Sequence, residues 1–307
     1  MTNNKTTFSH AIVTGASGFI GSALVPKLVK KGVEVIAADT VPFSNNICES
    51  VLLDIAEPHA LDKFIRTGTV IYHLAARASV PGSVTDPSDD FHNTCYGIFQ
   101  VLESARRHSC KVIFPSTASI FDVGIKLPAT ENSYVKPSSP YGAAKVAGEA
   151  YCFVYHRCYG IDVRIARMFS VYGIGMDRFA IHDIVRNIQN NNEELVLLGD
   201  GKQIRDYLYI DDVVTGLERI ASNGKPGEDY NLASGQEISL LDLARKIASI
   251  MGVPDIKISP TMESFEGDVP KLYGDIAKIS EIGFSPIVPL EEGLEKTISW
   301  LENHGPE

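Results

Sequence analysis

Over the first half of this chain, short apolar runs rich in Val, Ile and Ala alternate with stretches whose apolar residues recur at helical spacing. Residues 11–14 form the first run. A helical pattern follows through Leu24, Leu28 and Val29, with Gly32 as its stop. Residues 33–39, 51–55, 70–76 and 111–114 are further runs, too uniformly apolar for one face to lie in water. Between the last two, residues 91–107 carry a helical repeat. A second long helical register starts at Tyr141 and passes Tyr151, Val154 and Tyr155 to Cys158, where Gly160 stops it; residues 163–166 form another run. Strands separated by helices predict an α/β fold built on a parallel, doubly wound sheet.

Beyond residue 169 the alternation loosens. The pattern predicts a helix over 179–188, a strand over 194–198 and a turn at Gly199, Asp200 and Gly201. Short strands are expected at 205–210 and 230–232, and helices at 239–251, 277–282 and 290–301. No repeat, low-complexity stretch or linker-like gap divides the chain. The expected organisation is therefore two interleaved lobes. Residues 1–169, joined by parts of 205–235, form the larger, and residues 170–307 mainly form a smaller α/β lobe.

Composition acts mostly by exclusion. Apolar residues make up 44% and charged residues 21% of the 307, as in an ordinary globular protein. The formal net charge is -10 and no basic cluster breaks it, which argues against a nucleic acid or an anionic membrane as partner. The first ten residues are polar and no apolar run reaches the roughly 18 residues of a membrane span, so a cytoplasmic protein is expected. Cys48, Cys95, Cys110, Cys152 and Cys158 are scattered without a CxxC pair; they read as reduced thiols, and no metal is expected.

Two stretches carry chemistry. Gly15, Gly18 and Gly21 stand three apart, directly after the first run and at the start of the first helix. Glycines so placed let the backbone turn tightly and approach a pyrophosphate, which then sits on the helix N-terminus. Asp39 closes the next run 18 residues after Gly21, where an acid holds an adenosine ribose hydroxyl and repels a 2′-phosphate. Strand, glycine turn, helix, strand and acid together predict a Rossmann-type unit for NAD. Asp54, after the third run, is a candidate partner for the adenine amino group. His73, inside a buried run, is expected to be a core histidine. The second stretch pairs Tyr141 with Lys145, four residues on, hence on one face of the helix. A free phenol, with a pKa of about 10, is roughly 0.1% ionised at neutral pH, and a neighbouring ammonium favours the phenolate. Such a pair suits general acid/base work on an alcohol or sugar hydroxyl.

With these residues in place, the chain resembles the extended short-chain dehydrogenases/reductases of the nucleotide-sugar epimerase/dehydratase kind, over about residues 10–302. The resemblance runs through the glycine turn, Asp39, Asp54 with Ile55, His73 to Ala76, Ser83, Asn93, Thr117, Tyr141 with Lys145, Met168, Ser170, Arg205 and Gly267 with Asp268. It implies a catalytic set of Thr117, Tyr141 and Lys145. It implies NAD contacts from Gly15, Ser17, Gly18, Phe19, Ile20, Gly21, Asp39, Asp54, Ile55, Leu74, Ala75, Ala76, Asn93, Tyr141, Lys145 and Met168. Ser83, Thr117, Ser170, Arg205 and Lys271 would hold a nucleotide-diphosphate sugar.

Two absences shape the expected activity. Ala118 and Ser119 stand where dehydratase relatives carry an acid pair and decarboxylase relatives a Glu. Reversible oxidation at C4 through a transient 4-keto sugar, hence 4-epimerisation, is the expected reaction; frequency in the family implies a UDP-hexose as substrate, with a GDP- or other NDP-sugar left open. A net dehydrogenase or reductase, a dehydratase and a non-catalytic NAD sensor are the alternatives. Ser170 replaces a usual Asn, and residues 263–266 lack the Arg that usually reaches the diphosphate. Relatives commonly dimerise by pairing the helices that start near Asn93 and Tyr141, so a homodimer is expected; Ile98, Val101, Phe153 and Val154 would suit it, and internal packing explains them as well.

Overall fold

The computed structural model of the chain describes residues 7–263 and 269–304. The larger lobe begins with β1 (His10–Thr14), α1 (Phe19–Lys30), β2 (Glu34–Asp39), β3 (Glu49–Leu52) and β4 (Val70–His73). Then follow α2 (Val80–Thr85), α3 (Pro87–Phe91), a π-helical turn at His92–Tyr96, α4 (Gly97–His108), β5 (Lys111–Thr117), α5 (Pro140–Tyr159) and β6 (Val163–Met168). The rest comprises β7 (Ser170–Tyr172), α6 (Phe179–Asn190), β8 (Glu194–Leu197), β9 (Ile204–Arg205), β10 (Tyr207–Tyr209), α7 (Ile210–Asn223) and β11 (Asp229–Leu232). It closes with β12 (Ile238–Ser239), α8 (Leu240–Ile250), β13 (Lys257–Pro260), α9 (Ala277–Glu281) and α10 (Leu290–Asn303).

Seven parallel strands form the central sheet in the order β11-β6-β5-β4-β1-β2-β3. Alternate side chains feed two apolar layers, because a strand's side chains point to opposite faces in turn. Ala11 and Val13 of β1 join Leu24 and Leu28 of α1 and Val213 and Leu217 of α7. Ile12 joins Ile36, Ile71 and Phe114 with Ile98 and Val101 of α4 on the other face. Burial on both faces explains why these strands read as continuous apolar runs. The strand order reverses between β1 and β4, and the crevice at such a switch point, outside the carboxyl ends of the strands, is where ligands bind.

The smaller group of elements holds three short pairings: β7 with β10, β8 with β13, and β9 with β12. Asp206 sits at its junction with the main sheet and is fully buried. Its carboxylate accepts from Ser234 N and Oγ (2.7 and 2.6 Å), Gly235 N (3.0 Å) and Gly274 N (3.2 Å). A buried carboxylate is tolerable when so many donors replace water.

Several elements differ from the sequence pattern. The third strand stops at Leu52, not residue 55, because Asp54 Oδ1 accepts from Ala56 N (2.8 Å) and turns the chain. The fourth stops at His73, and residues 74–76 leave the sheet. The helix expected over 91–107 begins at Pro87 and contains the π turn. The strand expected over 205–210 is two short strands, and Ile210 opens helix α7, which the apolar pattern did not disclose. Its β-branched start, Ile210, Val213 and Val214, resembles a strand until Leu217, Ile220 and Ala221 supply the helical period. Strand β13 was equally unforeseen. Gly267 and Asp268, together with Ser264, Phe265 and Glu266, lie outside the described residues.

Candidate active site

The glycine turn links β1 to α1 at the carboxyl edge of the sheet. Gly15 has φ +66°, and a Cβ there would lie 2.6 Å from Ala75 N and 2.7 Å from Leu74 C. A Cβ on Gly21 would lie 2.7 Å from Ala16 Cα. Only glycine fits either place, so the backbone forms a bare cradle bounded by Leu74, Ala75 and half-buried Ala76. Gly18 is the N-cap of α1. Asp39 Oδ2 accepts from Ser17 N (2.9 Å) and Oδ1 from Thr40 N (2.7 Å), so this acid braces the turn from the end of β2. Phe19 and Ile20 are half-buried in the first turn of α1. Phe19 faces Gly175, where a Cβ would lie 3.6 Å from its ring. Ile55 is buried beside Gly97, exposed Asp54 forms the turn already described, and half-buried Met168 pairs with Thr117 across β5 and β6. An open backbone cradle, a helix N-terminus and an acid beyond β2 match the needs of a dinucleotide pyrophosphate and ribose.

Thr117 ends β5 and is 9% exposed; its Oγ1 accepts from Ser119 N (3.1 Å) and caps the short turn that follows. Helix α5 starts at Pro140, with Ser139 Oγ accepting from Gly142 N (3.2 Å), which fixes Tyr141 in the first turn opposite Thr117. Lys145 is 4% exposed; Nζ donates to Pro115 O (2.8 Å) and stands 6.0 Å from the centre of the Tyr141 ring. Helix α5 is tied down from behind. Arg167 of β6 grips Glu149 (3.0 and 2.7 Å), Asp229 (2.6 Å) and Glu131 O (2.8 Å), and arginine and both carboxylates lie deep in the fold.

Electrostatics here run against one expectation from sequence. Burial raises the Tyr141 phenol to about 12; Thr117 and Arg178 pull it down and Asp90 pushes it up. Lys145, held on Pro115 O, is not what opposes burial. Burial lowers Lys145 to about 8, against which Asp90 acts first. His73 is fully buried, pairs with Thr14 Oγ1 (3.0 Å) and falls to about 3 through burial, so it is a neutral core histidine.

The remaining candidates divide. Ser83 is buried in α2, which packs on α5, and donates to Val80 O (2.7 Å). Half-buried Ser170 lies on β7, where its N donates to Asp206 O (2.9 Å). Arg205 is half-buried on β9, with Nη1 donating to Ile204 O (2.9 Å), and exposed Lys271 lies alongside through the Ile204–Lys271 bridge. Asn93 points back along its helix and donates to Asp89 O (2.8 Å) and Oδ1 (3.0 Å). Asp90 and Thr94, which the sequence reading passed over, turn inward instead: both are buried, and among the described residues their side-chain oxygens have no hydrogen-bond partner. Their signal was present, since positions 90, 94, 98 and 101 form one buried helical stripe. Arg178, on the loop before α6, was missed as well.

A doubly wound sheet with a glycine cradle at its switch point, and a buried Thr–Tyr–Lys set at the same edge, defines a dinucleotide-dependent enzyme of the short-chain dehydrogenase/reductase type. The chain belongs to the NAD dependent epimerase/dehydratase family, whose sequence model matches residues 11–233. It is 32% identical over 316 residues to a UDP-glucose 4-epimerase of Mycolicibacterium smegmatis, covering 96% of this chain and 99% of that one. The crystal structure of a UDP-glucose 4-epimerase from Thermotoga maritima with UDP-glucose superposes with a TM-score of 0.90 at 30% identity, covering 96% and 99% of the two chains. A dTDP-glucose 4,6-dehydratase from Streptomyces venezuelae with NAD bound gives 0.88 at 27% identity, covering 96% and 97%. The cofactor is NAD. Among the described residues no helix is long and apolar enough to cross a membrane, and no group of His, Cys, Asp or Glu is placed to hold a metal ion.

Proposed function

We propose that this chain is a nucleotide-sugar 4-epimerase, acting on a UDP-hexose. The observation that carries the reading is the Thr117, Tyr141 and Lys145 set with Ala118 and Ser119 beside it, which supplies one acid/base and no second. NAD, when bound, supplies a reversible two-electron acceptor for the sugar carbon. Tyr141 takes the proton from the C4 hydroxyl and returns it, Thr117 orients that oxygen, and Lys145 holds the nicotinamide ribose. The positive charge of oxidised NAD would counter the burial that raises Tyr141 to about 12. Gly15, Gly18 and Gly21 with Ser17, Phe19 and Ile20 cradle the pyrophosphate. Asp39 holds the adenosine ribose, and Asp54, Ile55, Leu74, Ala75, Ala76 and Met168 line the remaining cofactor surface. Residues 1–169 carry this half, while residues 170–307 bring Ser170, Arg205 and Lys271 to the nucleotide sugar. The superposition on a structure holding UDP-glucose supports a uridine nucleotide.

The protein also forms a homodimer in this reading. Phe91, Tyr151, Phe153 and Val154 are 57%, 43%, 37% and 50% exposed on α3 and α5, an apolar strip suited to a second copy. Ile98 and Val101 are fully buried inside the protomer and take no part.

Proton NMR of the purified protein, without added cofactor, with UDP- and GDP-hexoses tests the activity. A C4 epimer appearing without net NADH is expected. NADH accumulating in step with a keto or acid product, or a 4-keto-6-deoxy product, would overturn it.

A further inference from the structure

Asp90 is 3% exposed, and neither of its carboxylate oxygens has a hydrogen-bond partner among the described residues. Thr94 Oγ1, one turn on, and Ser116 Oγ, on β5 between Pro115 and Thr117, are fully buried and equally unpartnered. Lys145 spends one of three ammonium protons on Pro115 O, and among the described residues no carboxylate forms an ion pair with its Nζ. Helix α3 and the π turn both pack on α5. Asp90 and Thr94 thus lie, unpartnered and buried, on segments packed against the helix that carries Lys145, and Ser116 adjoins Pro115, whose carbonyl takes one Lys145 proton. An isolated buried carboxylate costs several kcal/mol unless a cation shares its surroundings.

We infer that Asp90 is a positioning residue for Lys145: its carboxylate, carried on α3, keeps the buried amine an ammonium within a polar pocket completed by Thr94 and Ser116. The inference rests on the epimerase reading of the Tyr141–Lys145 pair and adds a residue to it.

The neighbouring charges agree. Burial raises the Asp90 carboxyl, and Lys145 is the first charge to oppose that rise; Asp89 on the same helix, whose partner is Arg77 (2.8 Å), adds to it. On Lys145 the acting groups are Asp90, then Cys152 and Glu149 of α5. Burial holds the Cys152 thiol protonated, and Glu149 is engaged by Arg167. His73 of β4 is neutral. Tyr141 feels Asp90 and Arg178. Asp90 is therefore the unengaged acid that faces the pair.

The test is the pH profile of kcat/KM for Asp90→Asn. Loss of the negative charge lowers the pKa of both Tyr141 and Lys145, so both limbs of the bell move to lower pH, each by about one unit. Asp90→Glu keeps the charge and leaves the limbs in place. Unmoved limbs in Asp90→Asn, whatever the fall in rate, would mean a packing role only and overturn the inference. A second measurement needs no activity. Lys145→Met leaves Asp90 buried and uncompensated, so adding Asp90→Asn to it raises the thermal midpoint by roughly 3 °C. An equal or lower midpoint overturns the inference as well. Should no nucleotide sugar turn over, the epimerase reading falls, and the melting comparison still decides the role of Asp90.

Discussion

Tyr141 shows how far a side chain depends on what surrounds it. Burial raises its pKa to about 12, which makes it a poor base at neutral pH. In the proposed reading oxidised NAD would bring a positive charge to it, and linkage makes the effect reciprocal: what lowers the phenol's pKa binds the phenolate form more tightly. NAD affinity, measured by calorimetry, therefore rises with pH in the alkaline range. In Tyr141→Phe the part of that rise due to the phenol is lost, and what remains follows Lys145, which titrates near 8. The same variant retains NAD and loses turnover by at least about 100-fold, read by the NMR assay. Gly15 makes a steric prediction. Gly15→Ala forces a Cβ against the Ala75 and Leu74 backbone at a left-handed φ. We expect loss of NAD from the purified protein and a destabilisation of about 1–3 kcal/mol in a denaturant titration.

At the scale of elements, helix α5 matters most, because it carries both reactive side chains. Its N-terminus is set by Ser139 and Pro140, and its body by the Arg167 network that joins it to β6, β11 and the segment holding Glu131. Arg167→Ala leaves Glu149 buried without its cation. Removing one partner of a buried pair costs about 3–5 kcal/mol, so chemical denaturation should show a loss of that size. The turn residues, the apolar period and the helix stop at Gly160 made α5 legible in the sequence. Arg167 was not legible as its anchor, since Glu149, Asp229 and Glu131 are far apart in the chain and meet only once β6 lies between α5 and β11. Helix α7 was missed for a local reason: its β-branched opening at Ile210 follows directly on the end of β10 at Tyr209.

For the whole molecule, His73 couples stability to pH. Its folded pKa, about 3, lies below the usual 6.5, so the unfolded chain binds more protons between those values. Stability from this group is fully present above pH 6.5 and is lost as pH falls toward 3, by several kcal/mol in all. The pH dependence of thermal unfolding should therefore flatten between pH 6 and 4 in His73→Gln, relative to the unaltered protein. Assembly is testable at the same scale. Val154→Glu on the exposed strip of α5 should shift a dimer to monomer in sedimentation velocity and leave the protomer folded.

The sequence by itself determined the repeating strands, the glycine cradle with its acid at Asp39, and the Tyr141–Lys145 spacing. These are short-range patterns, written in consecutive residues by strand and helix periods. Tertiary structure decided what those patterns meet. It opened α7 at Ile210 where a strand was expected, turned Asn93 toward Asp89 and Thr94 inward, and buried Tyr141 far enough to raise its pKa instead of lowering it. It also set Asp90 against Lys145 across two helices. Burial and long-range charge depend on which segments pack together, and no local period in the chain encodes that.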